Sequence, residues 1–267
     1  MHILSSSCGR SLTAISRSDV FCPFVTGIGI FSTIYLTPLF LGYVRGFIAR
    51  QTGIAIFSTG AASLAGVPAY ILLAKRFDTR WLMMFGLALF GLSMWSFSFI
   101  TSEWSGGELL LPQLLRGFPQ VFAVAPAVTL GLGSLPPERL KYASGLFNMM
   151  RNLGGAVGIA VCGAILIART NFHFDAIAYH LNPSNGPMER LLAGLAQRYA
   201  AMPGVLDEGN VAALKQLWRL AYREAATLAY ADAFRAIMFA FIVATLLVPL
   251  LRQVVPPKAP GPSPHSH

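Results

Sequence analysis

The 267-residue chain is 55% hydrophobic and only 12% charged, with a mean hydropathy of +0.59. Soluble domains carry about 25% charged residues, so this composition excludes an ordinary water-soluble domain and points to the bilayer. The formal net charge is +9, but the Lys and Arg residues fall between long apolar runs and form no single basic patch, which excludes a nucleic-acid-binding face.

Crossing the hydrocarbon core takes about 20 mostly apolar residues. Six runs qualify, at 20–42, 53–74, 81–101, 109–133, 145–168 and 232–251. Each is expected to be helical, because an open backbone in lipid leaves its polar groups unpaired. Arg10 and Arg17 precede the first run as they would in a signal peptide, but the run is too long for one and five more follow. Pro38, Pro68, Pro119 and Pro126 can bend or interrupt their helices.

The connections carry a charge asymmetry. Arg10, Arg17, Lys75, Arg76, Arg80, Arg139, Lys141, Arg252 and Lys258 fall on one side, against Arg45 and Arg50 on the other. The positive-inside rule then expects both termini in the cytoplasm. The long connection 169–231 becomes external. Within it, residues 188–202 place Leu191, Leu192, Leu195 and Tyr199 on one helical face, and 211–230 do the same with Val211, Leu214, Trp218 and Tyr222. One or two amphipathic helices lying on the membrane or capping the bundle are expected there, with partner docking as the sharper alternative. The tail 253–267, containing "PPKAPGPSPHSH", has the composition of a disordered segment.

Chemistry-bearing motifs are sparse. Cys8, Cys22 and Cys162 form no CxxC pair, and they read as reduced, small apolar residues. No metal-ligand spacing, phosphate-binding GxxxxGK[ST] or nucleophile–base arrangement occurs, so neither a metal, a cofactor nor an enzyme activity is expected. Two arginines stand out instead: Arg116 in "LPQLLRGFPQ" and Arg151 in "GLFNMMRNLGGAVGIA", both inside apolar runs. A guanidinium at membrane depth costs at least a few kcal/mol and faces the bundle interior or a watery cavity. Each arginine therefore either braces neighbouring helices, snorkels to the surface, or lines a transport path. Gly154 and Gly158, with Gly155 between them, have the spacing that lets helices approach closely.

Arginine keeps its proton at any physiological pH, with a pKa above about 12. The eleven acids, Asp19, Asp78, Glu103, Glu108, Glu138, Asp175, Glu189, Asp207, Glu208, Glu224 and Asp232, each fall in a loop, a turn or the first residue of a run. A proton carrier at mid-membrane would have to come from another polypeptide.

Several linked stretches resemble one family. "FVTGIGIFSTIYLTPLFLGYVRGF" looks like the first helix in the C-terminal half of EmrB/QacA-type drug exporters, the fourteen-helix, proton-antiport branch of the major facilitator superfamily. "PQLLRGFPQVFAVAPAVTLGLGSLPPERLKYASGLFNMMRNLGGAVG" is similar to that family's R-G, PPE turn and N-x-x-R-x-L-G-G helix, and "ATLAYADAFRAIMF" to the approach to its last helix. "KRFDTR" stands where the family has a D-x-R cytoplasmic turn, with Ile71 where a glycine is usual. The resemblance runs from about Phe21 to Arg252, while the segment 1–19 matches nothing in the family.

The resemblance implies an all-α membrane protein: a six-helix bundle over 20–252 that forms one half, a three-plus-three inverted repeat, of the major facilitator fold. It implies alternating-access drug:proton antiport, with a substrate class of small apolar or cationic drug-like molecules. Arg116, Asn148, Arg151, Gly154, Gly155 and Gly158 would line the path or brace helices. Asp78, Arg80, Glu138 and Arg139 would shape cytoplasmic latch turns, and Tyr35, Phe122 and Phe147 would touch substrate. The partners implied are membrane lipid, an N-terminal half or a second copy, and in a Gram-negative inner membrane a periplasmic adaptor and an outer-membrane channel. The alternative is a non-transporting truncated fragment, or a half-transporter that needs a separate N-terminal half.

Overall fold

In the computed structural model, the described residues are 17–104, 106–132, 137–180 and 209–250, with the isolated positions 190, 193, 194 and 197. They form six α-helices: α1 Arg17–Tyr43, α2 Ala49–Ala74, α3 Thr79–Phe97, α4 Gly106–Leu132, α5 Pro137–His180 and α6 Gly209–Leu247, followed by a short 3-10 turn at Val248–Leu250. Connections of a few residues join the first four in up-and-down order. Each of the six expected runs lies largely on a helix, the third ending at Phe97, and the prolines interrupt none of them: α1, α2 and α4 continue through Pro38, Pro68, Pro119 and Pro126.

Among the described residues five helices are long and apolar enough to cross a membrane by length and composition, over Cys22–Tyr43, Ala49–Ala74, Thr79–Phe97, Tyr142–Tyr179 and Val211–Leu247. The expected span at 109–133 is not one of the five. Gln113, Arg116, Gln120 and three prolines dilute the apolar character of α4. Burial explains the shortfall: Gln113 and Arg116 turn inward, while Leu110, Leu111, Leu114 and Val128 form the exposed surface. Its outer face is that of a spanning helix and its inner face is not.

Two further boundaries differ from the sequence expectation. α5 runs to His180 and α6 begins at Gly209, so the supposed amphipathic helix at 211–230 and the last span are one continuous rod. At 44 and 39 residues, α5 and α6 are about 66 and 58 Å long, roughly twice the thickness of the hydrocarbon core. The buried face of the α6 extension is also not the predicted one. Val211, Leu214, Trp218 and Tyr222 are exposed, and Ala213, Leu217, Ala221 and Ala225 are buried. Small side chains at i, i+4 spacing allow close packing, which leaves the bulky stripe outside. Trp218 stacks on Tyr222 at 5.2 Å, with Phe174 of α5 beside them. The segment 188–202 falls almost wholly outside the described residues.

Helix packing runs on glycine and aromatics. Gly154 on α5 faces the Phe24 carbonyl of α1 so closely that a Cβ there would lie 2.1 Å from it, and Gly27 of α1 meets the Arg151 carbonyl in the same way. Gly158 rests on Ile28 and Ser32. A second seam joins α2 and α4, where Gly66 meets the Phe118 carbonyl and Gly117 the Thr59 carbonyl. Helix α3 packs on α6 through stacked rings, Phe90 on Phe241 at 4.6 Å and Phe97 on Phe234 at 4.9 Å. At the end of the bundle away from the N-terminus, Gly46 supplies the φ of +68° that turns α1 into α2. There Arg45 donates to the Ser102 carbonyl at 2.7 Å, and Arg223 pairs with Glu103 at 3.0 Å, which ties both short connections to α6.

The seam glycines make a stability prediction. Gly154→Leu or Gly66→Leu forces a backbone apart and is expected to destabilise the bundle by about 1–3 kcal/mol. Gly53→Ala, with open space around its Cβ position, should be neutral. Reversible unfolding in mixed micelles reads the difference; equal behaviour of the three variants would contradict the seam.

Candidate functional site

The sequence places a permanent charge at Arg116, and the fold supplies its solvation from α1. Arg116 is only 4% exposed. Its Nη1 donates to the Thr33 carbonyl at 3.3 Å and to Thr37 Oγ1 at 3.2 Å. Thr37 Oγ1 in turn donates to the Thr33 carbonyl at 2.8 Å. Among the described residues no carboxylate pairs with the guanidinium, so an oxygen pair of one helix holds the charge of another. One turn away the buried Gln113 accepts a hydrogen bond from Thr59 of α2, and Ser63 Oγ donates to the Gly117 carbonyl at 3.0 Å. Polar groups thus stitch α1, α2 and α4 together at the centre of the bundle.

Beside this stitching lies a shallow, widely open groove of about 730 Å³ bordered by α1, α2 and α4. Arg116, Gln120, Thr52, Thr59 and Ser63 give it a polar wall, and Ile34, Ile56 and Phe57 an apolar one. Such a mixture suits an amphiphilic or neutral organic molecule: the apolar wall takes area, and the half-buried Thr52, Ser63 and Gln120 orient a polar end. The positive charge of Arg116 works against a cationic group on this wall.

The other predicted residues are distributed unequally. Arg151 lies on the α1/α5 seam, half-buried, with its Nε enclosed and without a partner among the described residues; it does not reach the cavity walls. Asn148 is exposed and donates to its own helix at the Ser144 carbonyl, 3.1 Å away. Gly154, Gly155 and Gly158 are buried against α1, a packing position. Phe122 is fully buried in a ring cluster with Tyr70, Phe85 and Phe118, and Phe147 belongs to the apolar core, so neither offers surface to a ligand in this conformation. Tyr35 is half-buried and packs on that core. Asp78 sits at the N-cap of α3 without a side-chain capping bond, and Arg80 keeps a buried Nη2 without a partner among the described residues. They form no ion pair with each other. The side chains of Glu138 and Arg139 lie outside the described residues.

Asp175 and Glu224 lie inside α5 and α6 rather than in a loop, and Asp232 is displaced in a way that matters more. Asp232 is not the first residue of a helix but lies well inside α6, with its side chain 13% exposed. Arg169 Nε donates to it at 2.7 Å, His173 Nε2 stands 2.8 Å away and Arg235 Nη1 3.1 Å away. The neighbouring contacts fix its depth: Phe234 stacks on Phe97 and Tyr230 meets Phe40 edge-on at 5.4 Å. Asp232 is therefore level with the last turns of α3 and α1.

The polar stitch predicts a coupled pair of substitutions. Thr37→Val removes a partner from a buried guanidinium and is expected to cost about 1–3 kcal/mol. In an Arg116→Met background the same change should cost much less, since the charge that needed the hydroxyl is gone. Additive effects in a double-mutant unfolding cycle would show that the two side chains do not depend on each other.

No family model matches the chain. It is 29% identical to the colistin resistance protein EmrB of Acinetobacter baumannii over 224 residues, which is 84% of this chain and 43% of that protein. It is 27% identical to the multidrug resistance protein Stp of Mycobacterium tuberculosis over 221 residues, 81% of this chain and 39% of that one. With the multidrug export protein EmrB of Escherichia coli the identity is 29% over 156 residues, 58% and 30% of the two chains. The chain spans less than half the length of these curated relatives.

Proposed function

We propose that this chain, 27–29% identical to EmrB-type and related multidrug resistance proteins over much of its length, forms the C-terminal six-helix lobe of a major facilitator carrier. The observation that carries the reading is the open groove of mixed polar and apolar lining between α1, α2 and α4. Thr52, Ser63 and Gln120 are half-buried in that groove, with the Arg116 guanidinium enclosed behind them, and a polar lining of this kind suits water and a facing lobe. In this scheme the two lobes rock about the cavity to give alternating access in a bacterial inner membrane, with both termini in the cytoplasm.

The glycine seams support a three-plus-three inverted repeat. Exchanging α1–α3 with α4–α6 converts the pair α1–α5 into α4–α2, and both pairs close through glycines set against a facing carbonyl. Helix α4 becomes the sixth span, its polar stripe turned to the path. Arg116 anchors the cavity wall, Arg151 braces the α1/α5 seam, and Asp78, Arg80, Glu138 and Arg139 lie at the cytoplasmic turns.

The membrane interior formed by the described residues holds no carboxylate at its midplane, and arginine cannot carry the proton. The proton-binding group of an antiport cycle therefore belongs to the facing lobe. That lobe is a separate N-terminal half or a preceding segment; a second copy of this chain would bring no such acid. A periplasmic adaptor would meet the rods that α5 and α6 project from the bundle.

Two outcomes test this reading. Expressed alone in an efflux-deficient strain, the chain should insert but export no ethidium under a pH gradient, and export should appear when the N-terminal half of an EmrB-type relative is co-expressed. Export by the chain alone would overturn the assignment of coupling to the other lobe. In the two-part system Arg116→Met should lower export per inserted molecule at least about tenfold, because the groove wall loses the charge that sets its register, whereas Arg151→Ala should lower export only in step with protein level. The reverse pattern would exchange the two roles.

A further inference from the structure

We propose that the α5/α6 face binds an anionic phospholipid, its phosphate held by Arg169 and Arg235 and one acyl chain lying in the groove beneath them. The groove is a cavity of about 700 Å³ with a charged end, Arg169, Asp232 and Arg235, and an apolar remainder of Ala164, Ile165, Ala168, Ala236 and Phe239. The order along the helices matters. On α5 the apolar residues precede Arg169, and on α6 they follow Asp232 and Arg235, so both runs lead from the edge of the apolar layer toward its centre. The charged end is level with the last turns of α1 and α3, where lipid headgroups begin. A molecule lying here meets charge at headgroup depth and alanine-floored apolar surface at chain depth, which is the polarity of a phospholipid.

The charges favour an anion. Asp232 is nearly enclosed and engages three cationic or ionisable side chains, yet each arginine uses one nitrogen on it: Nε of Arg169 and Nη1 of Arg235. The two guanidiniums exceed the one carboxylate by a full positive charge before His173 is counted. They are 46% and 52% exposed, and among the described residues their remaining N–H donors have no acceptor. A phosphodiester accepts from such forks in bidentate fashion, and Asp232 then serves to hold both arginines beside each other. Arg169 is further fixed by lying over the Phe172 ring at 5.1 Å. A zwitterionic headgroup would bring a cation to an already positive site and is expected to bind less well.

The inference rests on the membrane reading, whose failure would show separately as a chain that stays in solution without detergent. The test is native mass spectrometry of the full chain in detergent, titrated with phosphatidylglycerol, phosphatidylcholine or inorganic phosphate. Retention of phosphatidylglycerol is expected to exceed that of phosphatidylcholine by about tenfold. Arg169→Gln/Arg235→Gln should abolish the preference, and Arg169→Lys/Arg235→Lys should keep part of it. Ala168→Trp, which fills the groove and leaves every charge in place, should also lower phosphatidylglycerol retention and so covers the case in which the glutamine variant fails to fold. Equal retention of the two lipids, or unchanged retention in the groove-filled variant, would overturn the proposal. Competition by inorganic phosphate as effective as that by lipid would reduce the site to a simple anion site and overturn it equally.

Discussion

A guanidinium inside an apolar bundle has to be solvated by the protein, and Arg116 dictates how α1 and α4 meet. Its two acceptors, the Thr33 carbonyl and the Thr37 hydroxyl, lie one turn apart on α1, so the charge fixes both the register and the rotation of that helix against α4. The α2/α4 glycine seam then sets the distance of the third wall, because Gly117 and Gly66 leave backbone against backbone. The cavity follows from these two constraints. Its walls are held by a charge and by an absence of side chains, and no carboxylate is needed at its centre.

The same logic accounts for the division of the molecule into two faces. Helices α3 and α6 close against each other through stacked phenylalanines, and their exposed residues are large and apolar, suited to lipid. The α1/α2/α4 side holds an open groove in which Thr52, Ser63 and Gln120 are half-buried beside exposed Ile34 and Phe57, with Arg116 and Thr59 buried behind them. The long α5 and α6 rods project from the end opposite the N-terminus, where the Arg45, Glu103 and Arg223 cluster ties α6 to the short connections.

Much of this was legible in the residues. Arg116 announces itself as a charge in an apolar run, and Gly154 and Gly158 announce a close seam. Their partners do not: Gly27, Gly66 and Gly117 have no diagnostic spacing, and they matter only because of the carbonyls that folding sets before them. Thr33 and Thr37 look like ordinary spanning residues until Arg116 reaches them. The α6 boundary was misplaced because its alanine face is less hydrophobic than the exposed tryptophan and tyrosine stripe, yet small residues are what let rods pack. The Arg169, His173, Asp232 and Arg235 cluster joins positions separated by about sixty residues, and no local pattern announces it. Phe122 and Phe147 carry the aromatic character of a binding wall but are spent on the core.

The most direct measurement is water access to the cavity wall in the assembled two-lobed protein. Cysteine placed at Ser63 on the polar face, and separately at Leu92 on the exposed apolar face of α3, can be challenged with a membrane-impermeant maleimide. The account predicts rapid labelling at Ser63→Cys and none at Leu92→Cys. Labelling at neither position, or equally at both, would mean that the α1/α2/α4 side is not a water-filled path between two lobes.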